Sequence, residues 1–65
     1  MRVKFGNHID SCDRVTHSEG SNLLLITTKN SVYTVDCVTE AYAAELFNRA
    51  LINGYIDVAN LNYSN

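Results

Sequence analysis

Leu23-Leu24-Leu25-Ile26-Thr27-Thr28 and Ser31-Val32-Tyr33-Thr34-Val35-Asp36-Cys37 are two strand-like runs separated only by Lys29-Asn30. The first is apolar and then β-branched. The second alternates, with Tyr33, Val35 and Cys37 on one face and Val32 and Asp36 toward the other. Val, Tyr and Thr fit a pleated surface, and Lys29-Asn30 suits a short turn. The pair predicts a β-hairpin over 23–28 and 31–37. Immediately after it the period changes. Thr39 is an N-cap residue, and Glu40 places an anion where the helix dipole favours one. From Glu40 to Asn53 there is no breaker. On a helical wheel Ala43, Leu46, Phe47 and Ala50 form an apolar stripe with Tyr42 and Leu51 at its margins. Gly54 closes the helix, because glycine accepts the left-handed C′ conformation.

Upstream of the hairpin, Met1, Val3 and Phe5 alternate with Arg2 and Lys4, which predicts a strand over 1–6. Gly6-Asn7 is turn chemistry. A weaker strand over 9–16 follows, at an edge or broken by a bulge. His17-Ser18-Glu19-Gly20-Ser21-Asn22 is a loop. Downstream of the helix, Tyr55-Ile56-Asp57-Val58-Ala59-Asn60-Leu61 is too apolar for a loose end and reads as a short strand or extended segment docked on the sheet. Residues 62–65 read as frayed.

Sixty-five residues make one small domain with a marginal core. An apolar fraction of 46% with 18% charge fits a folded chain rather than a disordered one. The predicted architecture is therefore α+β, an antiparallel sheet of three to four strands with one helix packed on one face. Its expected core is Val3, Phe5, Ile9, Leu24, Ile26, Tyr33, Val35, Ala43, Leu46, Phe47, Ala50 and Leu51. No apolar run reaches signal-peptide or membrane-span length, so a cytoplasmic protein is expected. Cys12 and Cys37 are too few for a disulfide framework and are expected as packed thiols, with a single disulfide as the alternative.

No motif for chemistry stands out. His8, Cys12, His17 and Cys37 are zinc-type ligands, but there is no Cys-x-x-Cys or His-x-x-x-His pair, and His8 and Cys12 would stand about 13 Å apart in an extended strand. A cysteine nucleophile beside His8 or His17 has no motif to support it, although Cys37 lies just ahead of the helix dipole. Asp10 and Asp13 fall on opposite strand faces, which does not suit a paired acid and base. The 17–22 loop holds one glycine, so a phosphate cradle is weakly supported. A net charge of −2, with basic residues scattered at 2, 4, 14, 29 and 49, argues against nucleic acid. No metal and no cofactor is expected, and no enzymatic activity.

One helix cannot cover both faces of a sheet. Leu23, Leu25 and Val32 would lie on the bare face, and at this size the missing core is often supplied by oligomerisation. A homodimer, or docking on another protein, is predicted through Leu23, Leu25, Val32, Ile52, Tyr55, Ile56 and Val58. Asp10, Asp13, Glu19 and Asp36 are expected to face a basic partner and steer its approach. The leading function is a small non-enzymatic regulator or inhibitor that binds another protein. In size and charge the chain resembles small phage-encoded proteins that block bacterial enzymes or defence systems. The alternatives are a nucleotide-binding oligomer and an assembly subunit.

Overall fold

The structure is a computed structural model that describes residues 1–64. It is an α+β fold. Strands β1 (Arg2–Phe5), β2 (His8–Ser11), β3 (Arg14–His17), β4 (Leu23–Thr27) and β5 (Val32–Asp36) precede helix α1 (Glu40–Asn53), and β6 (Tyr55–Asp57) and β7 (Asn62–Ser64) follow it. They form a three-stranded sheet in the order β2-β1-β6 and a four-stranded sheet in the order β3-β4-β5-β7. Every pairing is antiparallel except that of β1 with β6. No helix among the described residues is long and apolar enough to cross a membrane.

The expected 9–16 strand is two strands that serve different sheets. Cys12 is the bend. Its N–H bonds the Met1 carbonyl in one sheet, while the Asp13 N–H bonds the Thr27 carbonyl in the other. Alternation slips by one residue here. Positions 8, 10 and 12 share the face of Val3 and Phe5, with Cys12 the buried one of the three, and after the bend it is Val15 and His17 that turn to the core side. Ile9 is therefore turned outward opposite Lys4 and is 50% exposed, which removes it from the expected core. An extra residue at a bend has this effect on any strand.

The hairpins follow their turn chemistry. Gly6, with φ of 56°, links β1 to β2. Lys29-Asn30 links β4 to β5, closed by the Thr28 N–H on the Ser31 carbonyl and by the Thr28 hydroxyl. In the 18–21 turn the Ser21 N–H reaches the Ser18 carbonyl, and Gly20 supplies the positive φ that a type II turn needs at its third position. The helix has both predicted caps. The Thr39 hydroxyl accepts from the Tyr42 N–H, and Gly54 is left-handed with its N–H on the Ala50 carbonyl.

Helix α1 lies against β6, β3 and β4. Ala43, Leu46 and Ala50 meet Val3, Val15, Leu24, Ile26 and Val35 in the core, with Phe47 and Tyr33 packed partly against it. Leu51, at the margin of the stripe, is exposed instead of buried. Cys12 and Cys37 are free thiols inside this core.

The C-terminal segment differs from expectation in two ways. Ile56 and Val58 belong to the chain's own core, so they are withdrawn from the predicted mating surface. Ile56 sits opposite Val3 on β1, and the Val58 N–H bonds the Lys4 carbonyl, which draws both residues inward. Residues 62–64 are not frayed. They pair with β5, and Tyr63 packs at a tilt against Phe5 at a centroid distance of 4.9 Å, with Tyr33 against the same Phe5 ring at 4.4 Å. An aromatic anchor of this kind is worth about 0.5–1.5 kcal/mol beyond its buried area, and it offsets the tendency of a short terminal strand to fray. Asn65 lies outside the described residues.

Candidate functional site

Side chains alternate across a strand, and partners in register share a face. In the four-stranded sheet Val15, Leu24, Ile26 and Val35 point to the core, so their neighbours point away. The register then places Arg14 and Thr16 of β3, Leu23, Leu25 and Thr27 of β4, Val32, Thr34 and Asp36 of β5, and Asn62 and Ser64 of β7 on one outer face. Nothing in the described chain lies over it. Leu25, at its centre between Thr16 and Thr34, is 44% exposed, and Leu23 and Val32 are similarly open. Singly exposed leucines are ordinary, whereas Leu23, Leu25 and Val32 lie exposed together on this one uncovered face.

One corner of this face is strained. Val38 has φ of 72°, in the left-handed region that a β-branched residue rarely occupies. The Thr39 N–H reaches back to the Cys37 carbonyl at 2.8 Å, closing a three-residue turn of the strained positive-φ kind. Asp36 holds this turn. One of its carboxylate oxygens accepts from the Val38 N–H at 2.8 Å and from the Asn22 carboxamide at 2.9 Å. The valine so displayed is 76% exposed. Such conformations cost on the order of 1–3 kcal/mol and persist where the surroundings enforce them.

The predicted acidic surface is not one patch. Asp10 lies in β2, where it accepts from the Ser11 N–H and stands 4.0 Å from His8. Asp13 is at the bend before β3, and Glu19 is in the turn after it, so the length of β3, about 13 Å, separates them. Asp36 is committed in part to its own turn. Of the predicted self-association residues, Leu23, Leu25 and Val32 come together on the open face. Ile52 stands apart on the helix, 82% exposed, and Tyr55 borders a groove elsewhere.

That groove, of about 340 Å³, runs between α1 and the 55–61 segment, with Tyr42, Arg49, Asn53, Tyr55 and Asn60 among its lining. Its one cation, Arg49, already pairs with Glu45 at 2.7 Å. No metal-binding group of three or more His, Cys, Asp or Glu side chains exists among the described residues. His17 is used structurally. Its Nε2–H donates to the Ser21 carbonyl at 2.7 Å and its ring faces Phe47. Burial pushes both thiols upward in pKa, with further raising contributions from Asp36 at Cys37 and from Asp13 and Asp10 at Cys12. A buried thiol held protonated is a poor nucleophile.

Val38 and Arg14 escaped the sequence reading. Nothing in Asp36-Cys37-Val38-Thr39 announces a positive φ at the valine. Arg14 can be assigned to this face only once the slip in phase at the bend is known. No family model, no curated protein and no solved structure matches the chain.

Proposed function

We propose that this chain is a small non-enzymatic binding protein, a regulator or inhibitor that works by protein–protein contact through the outer face of β3-β4-β5-β7. The observation that carries the reading is the open cluster of Leu23, Leu25 and Val32 set among Thr16, Thr27 and Thr34. This apolar centre with a polar rim is the usual anatomy of a protein contact. The displayed Val38 at its corner supports the same reading. Asp10, Asp13 and Glu19 lie off this face and give the molecule its negative sign, which favours encounter with a basic partner. Two unpaired, buried thiols suit a reducing compartment such as the cytoplasm.

The test is capture from extracts of the source cells on the immobilised chain, compared with its Leu25→Lys variant. The reading expects proteins retained by the parent and released by the variant. Identical capture by both would sink it. A basic partner, once found, should associate more slowly with an Asp10→Lys/Asp13→Lys variant, and with a flatter salt dependence.

A second reading, small-ligand binding, has the α1–β6 groove in its favour, since its volume lies in the range of ligand sites. Denaturing the purified protein and measuring absorbance at about 260 nm tests for a bound nucleotide, and the absence of tryptophan keeps the background low.

A further inference from the structure

The outer face carries its own complement. Its charged residues are Arg14 and Asp36, and they occupy symmetric places around Leu25. Thr16 and Thr34 flank Leu25 in register, on β3 and β5 respectively. Arg14 is two residues from Thr16 in one strand direction. Asp36 is two residues from Thr34, and the strands place it toward the opposite end of the sheet. Each charge is thus one strand across and two residues along from the central leucine, about 8 Å away by strand spacing and rise. Arg14 has no ion pair among the described residues, and the second carboxylate oxygen of Asp36 makes no hydrogen bond among them.

The geometry points to a second copy of this chain as the occupant of the face, in a two-fold dimer. The axis would lie in the interface and pass through Leu25. This inference rests on the reading of the face as a protein contact and names its partner. A two-fold contact is isologous, so it must bring each patch against an identical one. An axis through Leu25 lays that leucine on its own copy and exchanges the two charged corners, so that Arg14 of each chain meets Asp36 of the other twice over. A foreign partner requires no such internal symmetry. The strands of the two sheets would cross at a steep angle, closer to orthogonal than to aligned packing. A footprint of about 19 by 17 Å, from the strand spacing and rise, is small beside the roughly 800 Å² per partner of standard interfaces. The dimer is therefore one of weak affinity, with a Kd on the order of 10–100 μM.

Sedimentation equilibrium from about 10 μM to about 1 mM tests it on the parent chain, on Arg14→Glu, on Asp36→Lys, and on an equimolar mixture of the two variants. Each single variant sets like charges against each other twice and should self-associate at least about tenfold more weakly. In the mixture both pairs are again opposite in sign, so association should return to within a few-fold of the parent. Asp36 also holds the Val38 turn, so its variant must first show native circular dichroism. If it fails to fold, Leu25→Lys serves instead. It leaves the turn intact and places two ammonium groups on the axis, and it should be monomeric throughout. A dimer indifferent to Arg14→Glu or Leu25→Lys overturns the inference. So does a mixture that fails to re-associate while both variants are folded. A parent chain monomeric at every concentration, but still losing captured proteins on Leu25→Lys, overturns the second copy as occupant and leaves the contact face standing. A monomer with no capture dependent on Leu25 removes both.

Discussion

Val38 holds φ of 72° with a β-branched side chain that 76% exposure leaves almost without contacts. Glycine adopts that conformation freely. Val38→Gly should therefore stabilise the fold by about 1 kcal/mol, the strain released less the added freedom of the unfolded chain. For a domain this small that is a rise of several degrees in Tm, measurable by thermal unfolding. A neutral or falling Tm would mean that the valine is held by packing instead. The thiols make a second residue-scale prediction. Cys12 and Cys37 have pKa values raised by burial above the ordinary 9.0, so the unfolded chain loses these protons first. Their effect on stability is nil below that value, and stability falls as pH rises past about 9. Denaturant midpoints should fall as pH rises past about 9, and Cys12→Val/Cys37→Val should flatten the fall. Packed thiols were legible in the sequence from their number and surroundings. The turn at Val38 was not, because it is enforced by Asp36 and by the helix cap that follows.

Among the elements, α1 was readable end to end, because Thr39, the Ala43-Leu46-Ala50 stripe and Gly54 all specify the same boundaries. Thr39→Ala should cost about 1 kcal/mol by leaving the Tyr42 N–H without its hydroxyl acceptor, seen as an earlier denaturant midpoint. The strands were harder. The β4–β5 hairpin was legible from alternation and turn residues, whereas the β2–β3 bend was not. Between His8 and Thr16 strict alternation puts Ile9 and Val15 on one face with Ser11 and Asp13 between them, so no continuous hydrophobic pattern marks where the phase changes. Strand β7 was missed because three polar-flanked residues carry no signal of their own; the aromatic contacts of Tyr63 with Phe5 and Tyr33 hold it. Tyr63→Ala should accordingly destabilise the whole domain by about 1–2 kcal/mol and free the β7 amides to exchange. If stability stays unchanged, the ring does not anchor the strand.

At the scale of the whole molecule, one helix closes one side of a bent pair of sheets and leaves the other side of the larger sheet bare. Leu23, Leu25 and Val32 were readable as that bare side, since a single helix has one face to offer. The place of Arg14 opposite Asp36 was not, because it depends on the register across three strands and on the slip at Cys12. The most direct measurement is a concentration series of amide NMR spectra, from about 10 μM to about 1 mM. Shifts that grow with concentration are expected in Arg14–His17, Leu23–Thr27 and Val32–Asp36, with α1 and β6 left unmoved. Spectra that do not change, or changes centred on the groove between α1 and β6, would contradict a contact through the outer face.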